Sequence, residues 1–472
     1  MSAMQPQPPK PRIGLLALTL ELYEQLAPGL RQQREQWLRD AVLPALATAA
    51  EVRFCGAVCR REDLEAAVAE YEAAGVDALL LVFLTYAPSQ IALPALERAH
   101  LPIVVWNTQE LQAVDGRFDT AKMIDNHGVH GTQDLTNLLV RRGVPFHFVT
   151  SHLSDAGGPR ELFDCFQAAS AVARLRSCRL GLMGYPFPGM GDLAFDSTHL
   201  AATLGCRWVS LALETYHHQA AAAPLDAVEK LKDEYRRCYA IDEDVGDADL
   251  DATARAEWSL RSIVAQQRLD ALSFQFLALG EDQRTVTLPF VAVSRMMADG
   301  IGFAGEGDLI GAAGTWLLNR LCPPASFSEI FTIDFAGNGL LLSHMGEANV
   351  AMARKDRPVP LVARSQPITR TLGRQLALVT SFEPGPATLC ALTLGPQDRW
   401  RLIVSRMEIE DFGPLPGMSV PHCKVATPGD VRDWLTAYAR AGGPHHHAIC
   451  FGDARPRLKL TAALLDADYR EV

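Results

Sequence analysis

Val76-Asp-Ala-Leu-Leu-Leu-Val-Phe-Leu84 is the stretch on which the fold turns. An apolar run of this kind, without polar alternation, predicts a strand buried on both faces, as in a parallel sheet covered by helices. Outward from it, Ile13 to Leu20 and Val52 to Val58 read as earlier strands. Helical stretches at Leu30 to Ala50 and Glu62 to Ala74 separate them, and Pro102 to Trp106 and Pro145 to Ser151 continue the strands. That rhythm predicts a doubly wound α/β sheet. Such sheets bind ligands beyond the carboxyl ends of their strands. The polar residues placed there are Glu21 and Tyr23, Thr85 and Tyr86, and Asn107-Thr-Gln109. His127 and His130 stand three apart at the start of a helix running to about Arg142, which puts both rings on one face. A helix start favours neutral imidazoles, good partners for hydroxyl groups.

A second α/β unit is expected from about Arg176 to Cys322. Its strands are Arg179 to Met183, Arg207 to Ala212 and Ala271 to Leu277, with helices through Leu225 to Ile241 and Leu250 to Gln267. Pro323-Pro324 marks a boundary. Beyond it Asn338-Gly339, flanked by Ile330 to Phe335 and Leu340 to Ser343, is a strong hairpin signal. Gln375 to Phe382, Ala387 to Leu394 and Trp400 to Glu410 extend an antiparallel, barrel-like region, followed by a helix over Val431 to Ala441. The expected architecture is therefore two doubly wound parallel-sheet domains, 1–175 and 176–324, followed by a small antiparallel β-barrel-like domain, 325–472.

Size and composition agree with this. A chain of 472 residues, 48% hydrophobic and 21% charged, predicts a globular protein of two or three domains. A net charge of −11 argues against nucleic acid or an anionic membrane as partner. No window reaches the ~18 consecutive apolar residues of a membrane span, and Met1 to Arg12 is a Pro-rich polar lead. The expectation is a soluble, cytoplasmic protein. The ten cysteines form no C-x-x-C pair, which predicts reduced and mostly buried thiols.

The chemistry concentrates in Gly300-Ile-Gly-Phe-Ala-Gly-Glu-Gly-Asp308, where glycines crowd around one carboxylate, Glu306. Glycine permits positive φ or close backbone approach, so Glu306 is presented to a metal or a reacting carbon. The first three glycines also spell G-x-G-x-x-G. That fingerprint needs a preceding strand and an acid about 20 residues on, whereas Val291 to Asp299 reads as a helix and no acid stands near Leu321. His344 ends a hairpin strand, Asp334 lies on its partner with Glu329 five residues earlier, and His445-His-His447 follows a Gly-Gly-Pro. Two carboxylates and two imidazoles form a mixed donor set suited to Mn²⁺ or a similar divalent ion.

Across nearly its whole length the sequence resembles the L-arabinose isomerase family, with the L-fucose isomerases a more distant match. The resemblance is carried by Gly302-Phe-Ala-Gly-Glu-Gly-Asp308, Ser343-His-Met345 and Gly442-Gly-Pro-His-His446, and by Glu21-Leu-Tyr23, Leu84-Thr-Tyr-Ala-Pro88, Asn107-Thr-Gln109 and Val129-His-Gly131. It implies an aldose–ketose isomerase whose single Mn²⁺, or Co²⁺ or Mg²⁺, is held by Glu306, Asp334, His344 and His446. Glu306 and Asp334 would divide the proton transfers, and Tyr23, Tyr86, His127, His130 and His445 would meet the sugar. It further implies a homohexamer whose active sites lie between subunits. The chain departs from the family where Thr332-Ile-Asp334 replaces an adjacent glutamate and aspartate. Asp334 is favoured as the second carboxylate, with Glu329 as the alternative. His127-Gly128 also replaces the family's glutamine-threonine and Leu20 a glutamine, which implies a changed hydroxyl pattern or an extra substituent on the sugar. The same site would serve an epimerase, or a binding relative without turnover.

Overall fold

The computed structural model describes residues 10–155, 160–365 and 369–472, so most of the Pro-rich lead lies outside it. The chain forms two compact units, Pro9–Arg174 with Lys459–Asp466, and Leu175–Leu458 with Ala467–Val472. The stretches 176–324 and 325–472 lie for most of their length in the second unit.

The first unit holds β1 (Arg12–Leu18), β2 (Glu51–Val58), β3 (Ala78–Phe83), β4 (Ile103–Asn107) and β5 (Phe146–Thr150). They form one parallel sheet in the order β2-β1-β3-β4-β5. Every residue of β3 is buried, because the strand is central and alternate side chains enter two cores. Leu80 and Val82 pack with Leu38 and Phe166, while Leu79 and Leu81 pack with Leu64 and Leu135. Asp77, the charged residue that opens this run, is buried but satisfied. Arg174 pairs with it at 2.8 Å, and the Arg12 amide and Ser170 hydroxyl donate to it. Leu460 and Leu464, from the returning segment, complete the core that contains Leu80. The helix expected over Leu30 to Ala50 is interrupted by a π turn at Leu38–Val42, followed by Leu43–Ala47. Pro44 lies in the first turn of that last piece and has no N–H for the preceding turn, so the ladder widens there.

The second unit contains β6 (Arg179–Met183), β7 (Arg207–Leu211), β8 (Ala240–Ile241), β9 (Ala271–Phe274) and β10 (Gly302–Ala304). Four of them make a parallel sheet in the order β10-β9-β6-β7. The strand expected to run to Leu277 stops at Phe274. Gln275 caps a short helix, Phe276–Gly280, by accepting from the Leu277 amide at 3.1 Å. After the boundary prolines come β11 (Ala325–Asp334), β12 (Gly339–Ser343), β13 (Pro360–Arg364), β14 (Gln375–Leu378), β15 (Gly385–Leu394), β16 (Trp400–Ile409), β17 (His422–Ala426), β18 (His446–Phe451) and β19 (Asp468–Glu471). β14 leaves the final sheet and joins β13 and β8 in a three-stranded one. The final sheet is mixed, ordered β15-β18-β11-β12-β17-β16-β19, with β19 parallel to β16 and the other pairs antiparallel. β15 also pairs β16 along its length, so the pairing returns on itself through six of the strands. No helix among the described residues is long and apolar enough to cross a membrane.

Candidate active site

The second unit gathers Glu306, Glu329, His344, His445 and His446. Glu306 follows β10 and takes φ +61°, a left-handed conformation rare for a residue with a side chain. The surroundings hold it there. Its carbonyl accepts from the Phe187 amide at 2.9 Å and the Gln275 side chain at 3.3 Å. Gly307, at φ +83°, lies where a Cβ would come within 2.3 Å of the Tyr185 carbonyl. Gly305 lies against His344, and a Cβ there would sit 2.7 Å from Cε1 of that ring.

Strand register delivers the other groups. Glu329 is opposite His446 on β18 and opposite Ser343 on β12, the residue before His344. One carboxylate therefore sits between two imidazoles. Nε2 of His344 is 3.8 Å from Glu329, and Nε2 of both His445 and His446 is 3.9 Å from Glu306. Ligand atoms of Glu306, His445 and His446, and those of Glu329, His344 and His446, fall within 4.8 Å of one another in each group. Phe327 fixes the two inner rings by edge contacts, at 4.7 Å from His344 and 4.8 Å from His446.

Asp334, favoured in the sequence over Glu329 as the second carboxylate, stands outside this cluster. It is five residues beyond Glu329, about 16 Å along an extended strand. It pairs with Lys424 at 2.8 Å and accepts from the Gly337 amide at 2.7 Å. The carboxylate near His344 and His446 is Glu329.

Three carboxylates that the sequence did not single out stand behind the histidines. Nδ1 of His344 meets Glu347 at 2.9 Å, Nδ1 of His446 meets Asp308 at 3.0 Å, and Nδ1 of His445 meets Asp192. Asp308 and Glu347 lie within the quoted motifs, whereas Asp192 is distant in sequence and only the fold supplies it. Donation from Nδ1 leaves Nε2 of His344 and of His446 as a lone pair facing the cluster, whereas His445, charged between Asp192 and Glu306, keeps a proton on Nε2. Nε2 of His445 and of His446 are buried without hydrogen-bond partners.

The electrostatics follow from this crowding. Burial alone would raise the pKa of Glu306, but His445, His344 and His446 hold it below the usual glutamate value. Burial alone would lower His344, but Glu347, Glu329 and Glu306 together outweigh it, so the net shift is upward. Glu306 and Asp192 push His445 up to about 9 against burial. The cluster opens on a cavity of about 240 Å³ lined by Glu306, Glu329, Glu347 and His344 and walled by aromatic and methionine side chains, among them Phe276, Phe290 and Met190. Two carboxylates, Glu306 and Glu329, with imidazole nitrogens beside an apolar chamber fit a divalent cation that accepts both oxygen and nitrogen ligands.

The other sequence candidates form a group in the first unit. The Tyr23 hydroxyl is 3.4 Å from Nδ1 of His127, Nε2 of His127 meets Nδ1 of His130, and the Tyr86 and His127 rings are 6.0 Å apart. The helix that carries the histidines, Gly128–Arg142, presses on β3. A Cβ at Gly131 would come within 2.2 Å of the Phe83 ring, so this spacing of glycines permits the approach.

Fold and site define a mixed α/β protein with a buried carboxylate–histidine centre beside an aromatic chamber. Residues 196–321 match the L-arabinose isomerase central domain and residues 324–468 the L-arabinose isomerase C-terminal domain. Similar proteins include the L-arabinose isomerases of Acidothermus cellulolyticus, 28% identical over 80% of this chain and 77% of that one, and of an Arthrobacter species, 28% identical over 77% and 73%. The chain belongs to the L-arabinose isomerase family. Among solved structures, a periplasmic solute-binding protein from Actinobacillus succinogenes with bound D-allose matches at 14% identity over 63% of this chain and 78% of that one. Its TM-score is 0.15.

Proposed function

We propose that the protein is a metal-dependent aldose–ketose isomerase acting on a free sugar such as L-arabinose, L-fucose or a related pentose or hexose. The observation that carries this reading is the placement of Glu306, Glu329 and His344 at one chamber, with His446 within ligand distance of them. Family membership and the activity named for its relatives support it. Glu306, Glu329, His344 and His446 would hold the ion, with Mn²⁺ the first choice and Co²⁺ or Mg²⁺ alternatives. When bound, a divalent ion supplies Lewis acidity to sugar oxygens as they gain negative charge.

The chain's own groups do the rest. Isomerisation moves a proton between C1 and C2, and a carboxylate whose pKa is held low stays available as a base at neutral pH. Glu306 takes that proton and Glu329 manages the hydroxyl proton. His445, held by Asp192, presents a donor to a sugar oxygen. The apolar walls exclude water from the reacting carbons. We extend the proposal to a cytoplasmic homohexamer in which Tyr23, Tyr86, His127 and His130 meet the sugar bound to a neighbouring copy.

The test is proton NMR of the Mn²⁺-loaded protein in D₂O with aldopentoses, 6-deoxyhexoses and hexoses. Ketose carrying deuterium is the expected product. Deuterium exchange at C2 without ketose, or no reaction with any sugar, would refute the reading.

A further inference from the structure

Glu347 is almost wholly enclosed, with 1% of its surface exposed. One carboxylate oxygen takes Nδ1 of His344 at 2.9 Å, and the other is buried with no hydrogen-bond partner. Enclosing a carboxylate with an unpaired oxygen is unfavourable, so the fold must gain from what the paired oxygen does. The chain is shaped to put it there. A Cβ at Gly346 would come 2.5 Å from the Phe290 ring, so glycine lets the chain bend closely between His344 and Glu347. Gly305 closes the other side, since a Cβ there would be 3.3 Å from Oε1 of Glu347. Asp308, behind His446, also caps a helix by accepting from the Gly311 amide at 2.7 Å. For Glu347, the hydrogen-bond partner among the described residues is His344.

We propose that Glu347 is a positioning residue of the metal centre, acting through His344 without touching the ion. It accepts the Nδ1 proton, fixes the ring's tautomer and orientation, and strengthens Nε2 as a donor. This rests on the metal site of the preceding section and adds to it a residue outside the ligand set.

The experiment is a Mn²⁺ titration of the full-length protein, reading free Mn²⁺ by electron paramagnetic resonance. The variants are Glu347→Gln, which removes the charge, and Glu347→Leu, which removes the acceptor while keeping the volume. Each is made alone and combined with His344→Ala. Wild type is expected to bind one ion per chain, and the Glu347 variants to bind roughly 10- to 100-fold more weakly. Once His344 is gone, changing Glu347 should alter affinity less than twofold. If wild type binds no Mn²⁺, the metal reading fails and this one with it. If wild type binds and folded Glu347 variants bind within twofold of it, only the assignment of Glu347 fails. The same weakening with and without His344 would reduce Glu347 to a structural role and overturn the proposal. Should one variant not fold, the other decides.

Discussion

Gly305→Ala adds one methyl group at the point where the backbone touches His344. Its Cβ would lie 2.7 Å from Cε1 of the ring and 3.3 Å from Oε1 of Glu347. Carbon atoms pack at ~3.5–4.0 Å, so the ring must yield by about 1 Å. Phe327 stands against the ring and Glu347 ties its Nδ1. Gly305 is not among the residues at positive φ, so alanine meets no backbone penalty and the effect stays with the ring. Misplacing a group by ~1 Å near the reacting atoms lowers rates by about 100-fold, and overpacking of this kind costs about 1–3 kcal/mol of stability. The assay is ketose formation from the sugar identified by NMR, with thermal unfolding as control. A fall in kcat/KM of about 100-fold with an intact fold is expected. Turnover within threefold of wild type would refute the argument that Gly305 exists to seat His344.

Two further substitutions separate the carboxylates. Glu329→Gln should lower kcat by ~10²–10⁴-fold, the range for losing a general acid–base group. Asp334→Asn should leave it within twofold, because Asp334 pairs with Lys424, which keeps Glu410 at 3.1 Å. The reverse order of effects would sink the exchange of Asp334 for Glu329. In the first unit, burial depresses His147 from 6.5 to about 4. The unfolded chain therefore takes up this proton first. Stability is whole above about pH 7 and falls by up to ~3 kcal/mol between pH 6.5 and 4. Urea unfolding at pH 7.5 and 4.5 should show this loss in wild type and a smaller one in His147→Leu; equal losses would exclude His147 as the source.

The first sheet was legible because its signal is local. The run from Ala78 to Phe83 is apolar on both faces, and the strand it forms is buried on both. Local patterning was less informative where one side chain redirects the backbone, as when Gln275 ends the strand after Phe274. The cluster was legible only in part. Glu306, His344 and His446 sit in motifs rich in glycine and histidine, which stand out against ordinary composition. Choosing Glu329 over Asp334 needs the register of β11 against β18, a property of strands more than a hundred residues apart in sequence. Asp192, Asp308 and Glu347 are ordinary acidic residues in a chain with 55 of them, and only their distance to an imidazole distinguishes them.

The returning segment that supplies Leu460 and Leu464 has a consequence for biosynthesis. Nearly all of the first unit leaves the ribosome early, yet its core lacks these two leucines until the second unit has been made. The first sheet must therefore wait with an open apolar seam throughout that interval, as a surface for chaperones or for mispairing with a neighbouring nascent chain.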